Sequence, residues 1–147
     1  MKFTHIPFQK TGFFSKTMID YLEKNENLQK FYHNFPDLEG FSKQIKEKKA
    51  TFSQASRAIL VKALKSQSKG FQNSEATTKN IASLINENTF TITTGHQLNL
   101  FTGPLYFLYK ILSAINLCEQ LSEKFPEQKF VPIYWMATED HDFEEIN

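Results

Sequence analysis

Apolar residues recur at three- and four-residue steps through most of the first 88 residues, a spacing that predicts amphipathic helices. Four such segments are predicted, and they begin at or just after Ser15, Asp37, Ser53 and Ser74. The third, from Ser53 to Lys65, places Ile59 on its apolar side and Arg57 on its polar side. Residues 1–88 are therefore predicted to form a helical region.

The period changes at Thr89, where a β-branched, alternating segment predicts a strand over residues 89–94 that Gly95 ends. A long apolar stripe then runs from Leu105 to Leu121 and predicts a helix with Pro104 at its first position. The continuous apolar run 130–136 predicts a second strand, buried on both faces. Pro132 cannot donate to a strand ladder and favours an early or edge position.

Strand, helix and strand make a βαβ unit, in which the two strands are expected to run parallel. The sequence thus predicts an α/β fold, with a helical region over residues 1–88 and the start of a parallel-sheet core over residues 89–147. Loops that follow parallel strands emerge at the same edge of the sheet, where ligands bind in open sheets. The polar segments after the two strands are therefore expected to face one crevice.

The segment after the first strand supplies the first set of candidate binding residues. Its glycines match neither the phosphate-binding P-loop nor the dinucleotide fingerprint. The following helix begins near Gly103–Tyr106, and its free N–H groups and dipole suit a phosphate or carboxylate. Thr102 is read either as part of this site or only as a helix cap. The candidate binding residues are Gly95, His96, Gln97, Thr102, Gly103, Tyr106 and Lys110.

The segment after the second strand is strongly acidic and contains the candidate catalytic residues Glu139, Asp140 and His141. Carboxylates beside an imidazole can move a proton, hold an ammonium group or ligate a hard cation such as Mg²⁺. No second ligand cluster accompanies them, so no metal site is predicted. Asp142 and Glu145 fit a helix capping box, which explains them without a catalytic role.

The charge is balanced overall, with 17 basic and 16 acidic residues, and this gives no reason to expect nucleic acid or a membrane surface as partner. The single cysteine, Cys118, excludes an internal disulfide and is predicted to be a buried residue of the long helix. No secretory leader and no apolar run long enough to span a bilayer are found, so a cytoplasmic location is expected.

Two motifs carry a resemblance to a known family. They are Thr102-Gly103-Pro104-Leu105-Tyr106 with Tyr109-Lys110, and Trp135-Met136-Ala137-Thr138-Glu139-Asp140-His141-Asp142-Phe143. Together they resemble the bacillithiol biosynthesis cysteine-adding enzymes, the BshC family. The resemblance implies a Rossmann-like core, incomplete here, with long coiled-coil arms in a protein several times longer. It therefore implies that this chain is an N-terminal fragment and that activity needs the full-length protein.

The resemblance further implies a ligase that adds cysteine to glucosaminyl-malate through an amide bond, the last step of bacillithiol synthesis. The substrates would then be cysteine, glucosaminyl-malate and ATP, with Mg²⁺ and homo-oligomer formation left open. The HxGH signature of nucleotidyltransferases is absent, so activation through an adenylate or an acyl phosphate stays open. Two alternatives remain: a nucleotidyltransferase-like enzyme for another small acid or sugar, and a non-enzymatic interaction module.

Overall fold

The computed structural model describes residues 4–97, 99 and 103–139. The chain forms two compact units, Met1–Lys48 and Lys49–Asn147. The predicted boundary after residue 88 lies inside the second unit, and the division of the chain into those two domains stays a prediction. Among the described residues, no helix combines the length and the apolar character needed to cross a membrane.

The first unit contains short helical elements whose starts are fixed by side-chain caps. Helix α1 spans Lys16–Leu22, and the Ser15 hydroxyl accepts a hydrogen bond from the Met18 N–H at 3.2 Å. Helix α2 spans Leu38–Thr51 and continues into the second unit; Asp37 accepts from the Gly40 N–H at 2.9 Å. These bonds satisfy N–H groups that a helix leaves without a partner, and both predicted helices are confirmed.

In the second unit, helix α3 spans Gln54–Gln67 and helix α4 spans Glu75–Ser83, and each is capped by the preceding serine, Ser53 and Ser74. Strand β1 spans Thr89–Gln97, helix α5 spans Leu105–Lys124, and strand β2 spans Lys129–Ala137. A small apolar core joins α3, the end of α4 and β2; its buried members are Val61, Leu84 and Val131. The α3–α4 pair thus packs against the first half of β2.

Arg57 is buried, with 4% of its surface exposed, and it holds the connection from α4 to β1. Its Nη1 donates to the carbonyl oxygens of Leu84 and Thr89 at 3.1 and 3.0 Å, and its Nη2 donates to that of Glu87 at 3.2 Å. The prediction that Arg57 lies on the polar face of α3 was therefore wrong. The prediction that Ile59 lies on its apolar face was also wrong, because Ile59 is 70% exposed. A guanidinium that finds three carbonyl acceptors can be buried, which residue spacing alone does not reveal.

Strands β1 and β2 pair in parallel, in register from Thr89 opposite Lys129 to Gln97 opposite Ala137, which confirms the predicted βαβ unit. The prediction that Gly95 ends β1 was wrong, because the strand continues through it to Gln97. A Cβ at Gly95 would lie only 2.6 Å from the Trp135 carbonyl oxygen. Glycine is needed here for the close approach of the partner strand and makes no turn.

The two ends of the βαβ unit differ in burial. Phe130 and Val131 are buried, but Tyr134, Trp135 and Met136 are exposed, Trp135 by 61%. The prediction of a strand buried on both faces was therefore wrong for the second half of β2. Pro104 was predicted to be the first residue of the helix, but it is the residue immediately before the first turn of α5.

Candidate functional site

The ends of β1 and β2 lie side by side at one edge of the sheet. His96 is opposite Met136 and Gln97 is opposite Ala137, and Glu139 follows two residues later. The prediction that the two polar segments emerge at the same edge is confirmed for these described residues. The other two candidate catalytic residues of the second segment, Asp140 and His141, lie outside the described residues.

His96 is the centre of a hydrogen-bonded group at this edge, which also contains Gln97, Asn99 and Tyr106. Its Nε2 lies 2.6 Å from the Tyr106 hydroxyl, and its Nδ1 lies 3.0 Å from the Asn99 side-chain nitrogen. That nitrogen also donates to the Gln97 carbonyl oxygen at 3.1 Å. The group links the end of β1 to the first turn of α5, so its side chains are held in one arrangement.

Aromatic rings support the imidazole from the helix side. The His96 ring centre lies 5.1 Å from that of Tyr106 and 6.4 Å from that of Phe107. Phe107 in turn meets Tyr134 of β2 edge to face, at 5.5 Å between ring centres. The Tyr134 hydroxyl donates to the His96 carbonyl oxygen at 3.4 Å. Both strands and α5 thus contribute to the position of His96.

Gly103 and the start of α5 form the second part of the site. Gly103 has φ +64°, and a Cβ there would lie 2.7 Å from the Cβ and Cγ of Asn99. Glycine is therefore required both for the left-handed backbone and for contact with Asn99. Pro104 precedes the helix and supplies no side-chain cap. Thr102, which was predicted to bind a ligand or to cap this helix, lies outside the described residues.

The structure brings some candidate residues together and leaves others apart. His96, Gln97 and Tyr106 are joined through the hydrogen bonds above, whereas Lys110 is exposed on the second turn of α5. Asn99 is a site residue that the sequence analysis did not single out. A short-chain amide three residues after His96, in a connection between two elements, is the signal that could have identified it.

Two observations limit the chemistry of the described part of the chain. Cys118 is buried in α5 as predicted, and burial raises the pKa of its thiol from 9.0 to about 11, so it is a poor nucleophile at neutral pH. Within residues 4–97, 99 and 103–139, no group of three or more His, Cys, Asp or Glu side chains could hold a metal ion. The described site offers hydrogen-bond donors and acceptors.

The amino-acid sequence is similar to those of known proteins of one family. The family described as "Bacillithiol biosynthesis BshC, N-terminal Rossmann-like domain" matches residues 1–147. A relative from Flavobacterium psychrophilum, named as a BshC cysteine ligase, is 62% identical over 97% of the chain. Relatives of the same name from Flavobacterium johnsoniae and Christiangramia forsetii are 57% and 55% identical, each over 97% of the chain. The matched segment covers 27%, 27% and 26% of these three relatives, so the chain spans about a quarter of their length.

Proposed function

Because the chain belongs to the BshC family, we propose that the full-length protein is a cysteine ligase that joins cysteine to glucosaminyl-malate in the last step of bacillithiol synthesis. The new amide bond links the cysteine carboxyl group to the amino group of the sugar. The identity of 62% over nearly the whole chain is the observation that carries this proposal. The geometry of the sheet edge is compatible with it, because the ends of β1 and β2, from which the two polar segments continue, lie side by side.

Amide formation needs an activated carboxyl group, and ATP is the proposed source of activation. Transfer of a phosphoryl or adenylyl group to the cysteine carboxylate would create a leaving group that the amine then expels. The backbone N–H groups of Gly103, Leu105 and Tyr106, around the start of α5, would hold a phosphate of the nucleotide or a malate carboxylate. The exposed first residues of this helix, Leu105 and Tyr106, leave room for an anion there.

The acidic segment after β2 is proposed to prepare the amine. At neutral pH a sugar amine is largely an ammonium ion and must lose a proton before it attacks. Asp140 would hold the ammonium group and orient His141, whose imidazole would take the proton. Glu139, placed at the sheet edge, would add a second carboxylate to attract the amine. An Mg²⁺ ion bound with the ATP phosphates is compatible with these carboxylates.

The proposal is tested with the purified full-length protein. Cysteine, glucosaminyl-malate and ATP are supplied together, and product formation is followed by mass spectrometry alongside the release of ADP or AMP. The nucleotide product also separates acyl phosphate from adenylate activation. A strain lacking the gene should accumulate glucosaminyl-malate and lose bacillithiol. Normal bacillithiol levels in that strain, with no thiol product in vitro, would exclude this function.

A further inference from the structure

We propose that Asn99 is a positioning residue, which holds His96 in the tautomer with its proton on Nε2 so that the Tyr106 hydroxyl donates its own proton to an anionic oxygen of a bound substrate. The inference rests on the proposed function for the identity of that substrate. It concerns the direction of the hydrogen bonds at the sheet edge, which the distances alone leave open. The donor and acceptor types of the neighbouring groups supply the direction.

The orientation of the Asn99 side chain is fixed by a backbone carbonyl. The Gln97 carbonyl oxygen can only accept, so the Asn99 atom 3.1 Å from it is the amide nitrogen. The same nitrogen lies 3.0 Å from Nδ1 of His96. An amide nitrogen carries two protons, so that of Asn99 can donate to both acceptors.

The tautomer of His96 follows from this donor. With Asn99 donating to it, Nδ1 accepts, and the single proton of the neutral ring is on Nε2. Nδ1 also lies 3.1 Å from the Gln97 carbonyl oxygen, so a proton on Nδ1 would have an acceptor there. That proton would also face the Asn99 amide group, whose nitrogen lies 3.0 Å from Nδ1, and this donor–donor contact disfavours it. Asn99 therefore decides between the two tautomers.

The tautomer in turn decides what Tyr106 offers. Nε2 and the Tyr106 oxygen are 2.6 Å apart, and only one proton can occupy the space between them. If His96 donates, the proton of the tyrosine hydroxyl is free to point elsewhere. Tyr106 is 50% exposed and lies in the first turn of α5, beside the N–H groups proposed to hold an anion. Its hydroxyl then adds one more donor for a carboxylate or phosphate oxygen.

Three variants of the full-length enzyme test whether Tyr106 and Asn99 contribute to substrate binding. Tyr106→Phe should raise the Michaelis constant of one anionic substrate, ATP or glucosaminyl-malate, by roughly 10- to 100-fold, the usual effect of losing a hydrogen bond to a charged group. Asn99→Ala should raise the same constant, because His96 then donates to Gln97 and accepts from Tyr106. In the variant that carries both substitutions, the Michaelis constant should be no higher than in Tyr106→Phe alone. Tyr32→Phe, which removes a hydroxyl from an aromatic cluster with Tyr21 and Phe35, is the matched control.

A second measurement reports the tautomer directly and needs no activity. In the full-length protein with ¹⁵N-labelled histidine, NMR shifts distinguish a protonated ring nitrogen from an unprotonated one, and a His96→Gln spectrum assigns the signals. We expect the proton on Nε2 in the native protein and on Nδ1 in Asn99→Ala. A native protein with the proton on Nδ1 would overturn the inference, as would full additivity of the two substitutions. A confirmed tautomer in a protein without ligase activity would instead refute only the proposed function.

Discussion

Replacing Arg57 by methionine is expected to loosen the connection that begins strand β1. Arg57 makes three hydrogen bonds to carbonyl oxygens between Leu84 and Thr89. Methionine keeps much of the apolar stem but removes every donor, so these carbonyls lose their side-chain partner. In the native protein, the buried Nε of Arg57 has no hydrogen-bond partner among the described residues. This lowers the net stabilisation that the Arg57 side chain supplies.

The expected loss can be estimated bond by bond. A hydrogen bond from a charged donor contributes about 1.5 kcal/mol at the low end of its usual range, so three of them give roughly 4 kcal/mol. Since about 1.4 kcal/mol corresponds to a factor of ten, local opening should become roughly 10²- to 10³-fold more frequent. The Arg57→Lys variant keeps the charge but loses the planar fork, and an intermediate effect is expected.

Hydrogen exchange followed by mass spectrometry in the full-length protein is the suitable assay, because it reports opening peptide by peptide. Peptides covering residues 84–92 should exchange faster in Arg57→Met. Lys62→Met is the matched control, since Lys62 is an exposed cation on the same helix. Equal exchange in native protein and Arg57→Met would refute the reasoning, and it would show that packing alone holds the start of β1.

Three further predictions concern the sheet edge and α5. Gly95→Ala should cost about 1 to 3 kcal/mol through overpacking against the Trp135 carbonyl; a thermal melt of the full-length protein measures it, and an unchanged melting temperature would contradict the close approach. Asp140→Asn should lower kcat by about 10²-fold with nucleotide binding intact; a loss of stability at normal kcat would assign Asp140 a bracing role. Cys118, with its pKa raised to about 11, should resist iodoacetamide at pH 8 while folded, and fast alkylation there would show that the thiol is accessible and ionised.

Much of the fold could be predicted because its determinants are local. Serines before α1, α3 and α4 cap the helices that follow them, and a cap acts within one turn. Gly95 and Arg57 were misread because their roles depend on distant partners, Trp135 in one case and carbonyls about 30 residues away in the other. The hydrophobic periodicity of one segment gives no information about a partner so far away in the sequence.

Part of the candidate site could likewise be predicted from the sequence, and part could not. The edge position of His96 and Gln97 followed from the parallel topology, which the βαβ pattern predicts. Asn99 was missed although its partner His96 is only three residues away, because residue spacing alone does not show that its amide reaches Nδ1 of His96. The predicted roles of Asp140 and His141 rest on sequence pattern and remain predictions.

The lengths of β1, α5 and β2 limit how this segment can change in evolution. A 20-residue helix rises about 30 Å, and a nine-residue strand spans about the same distance, so α5 returns the chain over the full length of the sheet. Deleting one helical turn would draw β2 back by roughly 5 Å, between one and two strand residues. Met136 would then no longer lie opposite His96. Insertions and deletions should therefore be rare within these three elements and more frequent in the short connection after α5.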